Sequence, residues 1–155
     1  MYKTFHYMKC AVLALVLCTA AMPLSVSAQD TSMKDIYSVG QQLINYIEDQ
    51  TNSEIVHIEY DIISNTKVIT RRLVDSYTYT VMAFSDGRVQ DLDLTVYKRS
   101  GNDWVVLVRD NEDDNTPLKT FTPPYSGEYR IEVKAYKFKS GYSAAHYGLF
   151  IYHNI

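Results

Sequence analysis

The chain has 155 residues, 15 basic and 18 acidic side chains, a formal net charge of −3 and two cysteines. That length predicts one domain, and the acidic balance leaves no electrostatic drive toward nucleic acid, which is excluded as an expected partner.

The first 28 residues read as an export signal. Lys3 and Lys9 supply a positive start, and Cys10 to Met22 is an apolar run. That run is too short to cross a hydrocarbon layer of about 30 Å as a helix. Val26-Ser27-Ala28 then offers small residues for cleavage before Gln29. Two other readings of this segment are a retained membrane anchor and a lipoprotein signal ending at Cys18. The second places Leu17 where a small residue is expected. Cleavage after residue 28 leaves 127 residues and takes both cysteines away, so the mature chain has no thiol and no disulfide. Loss of the two lysines moves the net charge from −3 to −5. The expected location is periplasmic or extracellular, with no transmembrane segment after cleavage.

Residues 29–52 hold the expected helix, over 32–50. Ser32 can cap its first turn, with Asp35 three residues on, close to a capping box. Met33, Ile36, Leu43, Ile44 and Ile47 fall on helical spacing, and Gly40 is a weak spot. This stripe predicts packing against the rest of the chain.

From residue 53 the period becomes two. Val56, Ile58, Tyr60 and Ile62 alternate with His57, Glu59 and Asp61, the mark of a half-buried strand. Further strands are expected at Lys67 to Leu73, Ser76 to Phe84, Asp91 to Tyr97, Trp104 to Arg109, Leu118 to Phe121, Tyr129 to Phe138 and Tyr147 to His153. Turn signals such as Ser85-Asp86-Gly87-Arg88 and Ser100-Gly101-Asn102-Asp103 separate them. Eight short strands at regular spacing predict an all-β sandwich or barrel over 53–155. Leu92, Leu94 and Val96 are expected in the core, with Asp91 and Asp93 facing out. Tyr77, Tyr79, Tyr129 and Tyr147 also alternate into the expected core.

Residues from about 74 to 153 resemble the bacterial pre-peptidase C-terminal domain family. The resemblance rests on Tyr77-Thr78-Tyr79, then Asp91-Leu92-Asp93-Leu94-Thr95-Val96-Tyr97, then the acidic loop Asp110 to Asp114. Phe121, Pro124 and Gly127-Glu128-Tyr129 follow, and Tyr147-Gly148-Leu149 closes the set. The resemblance is expected to stand without an attached peptidase domain, since the 155 residues hold only a helix and two further strands beside it. The resemblance implies a jelly-roll-like antiparallel β-sandwich that is non-catalytic and in some members binds a cation. It also implies a role in binding substrate or matrix.

Asp91, Asp93, Asp110, Asp113 and Asp114 are candidate calcium ligands, because calcium takes six to eight oxygens at about 2.3–2.6 Å. Whether the loop 110–114 reaches Asp91 and Asp93 depends on the register between two strands. The alternatives are that the acids face water, at a cost of about 1 kcal/mol for an exposed like pair 4 Å apart, or that Asp91 caps the loop. Calcium is the only expected cofactor. His57, His146 and His153 lie on separate strands without metal-ligand spacing, and there is no Gly-x-Ser-x-Gly elbow. The residues therefore do not predict an enzyme. Trp104, Tyr125, Tyr136 and Tyr142 are candidates for an exposed aromatic binding patch. The sequence thus predicts an exported, non-catalytic module that binds protein or carbohydrate. A small secreted hydrolase, a peptidase-associated inhibitor and a structural envelope component are the alternatives.

Overall fold

In a computed structural model, residues 32–155 are described; the expected leader, its cleavage site and both cysteines lie outside them. Within the described residues one helix, α1 (Lys34–Gln50), precedes eight strands: β1 (Ser53–Ile63), β2 (Thr66–Leu73), β3 (Tyr79–Ser85), β4 (Val89–Ser100), β5 (Asp103–Asp110), β6 (Leu118–Phe121), β7 (Gly127–Phe138) and β8 (Ala145–Asn154). The strands form two four-stranded sheets, in the orders β1-β8-β3-β6 and β2-β7-β4-β5. Every pairing is antiparallel. Consecutive strands switch sheets except β4 and β5, which form a hairpin within the second, and the fold is a jelly-roll-like β-sandwich. The strands β1 and β2, outside the segment that carries the family resemblance, are integral to it: each closes one edge of a sheet.

Alternation builds the core. Tyr79, Val81 and Ala83 of β3, and Tyr147, Leu149 and Ile151 of β8, face Leu92, Leu94 and Val96 of β4, and Tyr129, Ile131 and Val133 of β7. Each fully buried aliphatic or aromatic side chain contributes about 1.5–3 kcal/mol. The Tyr129 hydroxyl is satisfied locally, donating to the Tyr125 carbonyl at 2.7 Å. Tyr77 departs from the expected core. It precedes β3, is exposed, and stacks on His153 with ring centroids 4.2 Å apart.

The helix stripe covers the outer face of the first sheet. Ile36 and Ile47 are buried with Phe84 of β3 and Phe150 of β8, and Leu43, Ile44, Tyr60 and Tyr152 pack around them. Two glycines allow this approach. A Cβ on Gly40 would lie 1.7 Å from the Tyr60 hydroxyl, and one on Gly148 would lie 2.4 Å from the Phe84 ring. The cap differs from the capping box that the sequence suggests. Met33 occupies the cap position, and the Ser32 hydroxyl accepts the Lys34 amide at 3.3 Å from one residue further out. At the helix exit Asn52 adopts φ 50, a left-handed conformation that asparagine tolerates better than most residues. Its backbone carbonyl accepts the Ile155 amide at 3.0 Å, tying the end of β8 to the helix–strand junction. Among the described residues no helix is long and apolar enough to cross a membrane.

Candidate functional site

Among the described residues, no helix packs on the outer face of the second sheet. The pairing of β2, β7, β4 and β5 lays out rows of polar side chains there. Lys134 sits opposite Asp93, and the next row aligns Glu132, Thr95 and Arg109. Beyond it, Arg130 lies opposite Tyr97, with its guanidinium 5.5 Å from the ring centre. Asp93, Thr95, Arg109, Asn111, Glu132 and Lys134 line a concavity of about 220 Å³.

Half of these groups are already engaged. Arg109 donates from Nε to Thr95 Oγ1 at 3.2 Å, which fixes the guanidinium over the sheet. Glu132 accepts the Tyr97 hydroxyl at 3.2 Å and Arg130 at 3.3 Å. The Asp93 carboxylate, the Asn111 side chain and the Nη nitrogens of Arg109 form no hydrogen bond with the described residues. Burial lifts the Asp93 carboxyl above its ordinary 3.8, while Lys134 and Arg109 pull it down. The concavity is therefore a small basin of solvated donors and acceptors on a rigid sheet.

The five acids expected to share a cation are divided by the structure. The β4–β7 register slips on both sides of Asp91. These bulges break the alternation, and Asp91 is only 9% exposed instead of facing out. Its Oδ1 is buried without a hydrogen-bond partner. The loop after β5 does return to this point, since Leu92 donates to the Asp114 carbonyl at 2.7 Å. Burial, then the charges of Asp93, Asp113 and Asp114, raise the Asp91 carboxyl above its ordinary value, and Lys137 offsets them in part. Asp110 is engaged elsewhere. Its Oδ2 accepts the Leu118 amide at 3.0 Å and Lys119 at 3.2 Å, so it closes the loop instead of offering a ligand. Asp114 accepts the Thr116 amide at 2.8 Å, and Asp93 lies in the basin. Among the described residues no three His, Cys, Asp or Glu side chains gather as a metal-binding group. The orphaned Asp91 oxygen suits a cation, but the five-acid set does not fit one.

The four aromatics do not assemble into one patch either. Trp104 lies opposite Arg99, whose guanidinium stacks 4.2 Å from its ring centre. Tyr136 is the extra residue of a bulge in β7, between the partners of Asp91 and Leu92. Seven residues of β4 separate the two sites, roughly 23 Å at about 3.3 Å per residue. Tyr125 is structural: it packs on the core and donates to the Arg99 carbonyl at 2.6 Å. Tyr142 is in the β7–β8 loop. Of the four, Tyr136 flanks the basin. It is 64% exposed, with Lys134 5.0 Å from its ring centre.

The histidines are held by structural partners. His57 lies between Arg71 and Glu59, and burial and then Arg71 lower its pKa against the pull of Glu59. His146 sets Nδ1 2.9 Å from an Arg88 nitrogen, while Arg88 also chelates Asp86. His153 lies under Tyr77. Sequence reasoning missed Thr95, Arg109, Asn111, Glu132 and Lys134. Alternation with core residues marks Glu132 and Lys134 as outward-facing, but only the register across three strands and the loop after β5 brings the set together.

No family model matches the chain, and no curated protein matches it. Among solved structures it is similar to the mitogen of Yersinia pseudotuberculosis, at 14% identity over 63% of this chain and 84% of that one, with a TM-score of 0.47. It is also similar to the pre-peptidase C-terminal domain of the Bacillus anthracis collagenase, at 13% identity over 61% and 87% with a TM-score of 0.45. A third is a periplasmic inhibitor of g-type lysozyme from Aeromonas hydrophila, at 15% identity over 66% and 87% with a TM-score of 0.41. At these values the likenesses carry no argument about function.

Proposed function

We propose that this protein is an exported, non-catalytic binding module that recognises a glycan on the outer face of its second sheet. Export rests on the leader read in the sequence. One observation carries the rest: the polar basin of Asp93, Thr95, Arg109, Asn111, Glu132 and Lys134, on a sheet face that no helix of the described residues covers. A buried donor or acceptor without a partner costs about 1–3 kcal/mol. A ligand filling this basin must therefore offer hydrogen-bond partners to Asp93, Asn111 and Arg109. A sugar hydroxyl both donates and accepts, so neighbouring hydroxyls of one ring meet a carboxylate, an amide and a guanidinium equally well. The exposed Tyr136 at the rim adds a ring on which a sugar face can stack. The five-acid calcium site is not part of this reading, because Asp110 is held by Leu118 and Lys119 and Asp93 lines the basin apart from the loop.

A glycan array tests this, with the purified mature protein and its Asp93→Ala variant. Retention of oligosaccharides by the wild type, weakened about tenfold in the variant at an unchanged melting temperature, is expected from the loss of a charge-assisted acceptor. An array without hits, or binding indifferent to Asp93→Ala, would overturn the assignment. Binding of exported proteins in place of glycans would overturn it as well.

A further inference from the structure

The charges around the basin do not cancel, and the imbalance selects among sugars. Glu132 is neutralised in place by Arg130 and held by the Tyr97 hydroxyl. Asp93 stands opposite Lys134 in the β4–β7 pairing, and both Lys134 and Arg109 act on its carboxyl. Asp110, the next acid near Asp93, is paired with Lys119. With one carboxylate between these two cations, Arg109 is only partly compensated, in a chain that is acidic overall. Its Nε is tied to Thr95 Oγ1, which fixes the plane of the guanidinium and leaves the Nη groups for a ligand. A planar guanidinium with two N–H groups free binds a carboxylate in bidentate fashion, which a neutral hydroxyl cannot match.

We infer that the glycan bound in this basin carries a carboxylate, as in a uronic or other acidic sugar, with its carboxylate on Arg109 and its ring hydroxyls on Asp93 and Asn111. This rests on the glycan reading above and narrows it. The arrangement also explains why the site keeps an acid beside the cation. Asp93 accepts hydroxyls, while Lys134 across from it prevents its charge from repelling the ligand. A site of this kind discriminates by the charge of one substituent rather than by the length of the chain it binds.

The test is a panel of acidic oligosaccharides, each as the free acid and as its methyl ester, titrated into the mature protein by calorimetry. The ester keeps the ring hydroxyls and removes the charge. The expected result is binding of at least one free acid, about tenfold or more tighter than its ester. Arg109→Gln should bring the acid down to the level of the ester. Raising the ionic strength should weaken the acid and leave the ester unchanged, because salt screens only the charged contact. That measurement needs no variant, so it stands whether or not Arg109→Gln folds. Esters that bind as tightly as acids, or an acid preference insensitive to salt, would overturn the inference and leave the glycan site standing. Failure of every acid and every ester to bind would remove the underlying reading together with it.

Discussion

At the scale of single residues, three aspartates show how one residue type serves opposite ends. Asp91 is 9% exposed with a buried, unpartnered Oδ1. Burial raises its carboxyl above 3.8, with Asp93, Asp113 and Asp114 adding to the effect. A carboxylate whose folded pKa is raised destabilises the fold when ionised, and the penalty disappears as pH falls through that raised value. Asp91→Asn is therefore expected to stabilise the protein by about 1 kcal/mol at pH 7, and to lose that advantage as the pH approaches 4. Urea unfolding at both pH values measures this; a variant less stable than wild type at pH 7 would contradict it. Asp86 and Asp110 have the opposite sign. Burial raises both, but hydrogen bonds outweigh it, from Arg88 and the His146 amide for Asp86, and from the Leu118 amide and Lys119 for Asp110. Their contribution is complete above the ordinary carboxylate value and is lost as pH falls through the lowered ones. Asp110→Asn should cost about 2 kcal/mol at neutral pH and should blunt acid unfolding below pH 4. Loss of stability that is the same at every pH would show that Asp110 acts by packing alone. The sequence shows all of these as acids in turns or alternating strands. It does not show that a bulge turns Asp91 inward, because the bulge depends on pairing with β7, whose nearest partner is more than forty positions away.

At the scale of elements, the helix and the strands follow from period, and their docking follows from two glycines. The apolar stripe of α1 and the alternation of every strand are legible in the sequence, because burying one face imposes them locally. The strand order is not legible. It arises from pairings such as Glu54 with His153, which no local pattern encodes. Nor does the spacing show why Gly40 and Gly148 are small; Gly40 reads as a weak point in a helix, yet it is where Tyr60 meets the helix. Tyr60 is braced by edge contacts to Phe84 and Phe150, with centroids 6.3 and 6.0 Å away, so it cannot swing aside freely. Gly40→Ala should thus destabilise by about 1–3 kcal/mol, although alanine is the better helix former by about 1 kcal/mol. The Tyr60 hydroxyl is buried without a partner, so Tyr60→Phe should be neutral or stabilising and should recover part of the Gly40→Ala loss. A double-mutant cycle by thermal melting measures this coupling; additive effects would show that the helix does not seat on Tyr60.

At the scale of the whole molecule, the two sheets are put to different uses. The first is covered by α1 and buries Phe84 and Phe150 beneath it. The second presents polar rows and a basin that sequence reading did not assemble, because its six residues come from β4, β5, the turn after β5, and β7. Aromatic content pointed to Trp104, Tyr125, Tyr136 and Tyr142, and of these only Tyr136 borders the basin. On the proposed reading, binding is confined to the second sheet, whose outer face no helix of the described residues covers. The most direct measurement is an amide chemical-shift map of the mature, isotope-labelled protein titrated with the oligosaccharide panel. Shifts concentrated at Asp93, Thr95, Arg109, Asn111, Glu132 and Lys134, with α1 and β1 unchanged, are the predicted result. Shifts confined to α1 and the first sheet, or none with any oligosaccharide, would contradict it.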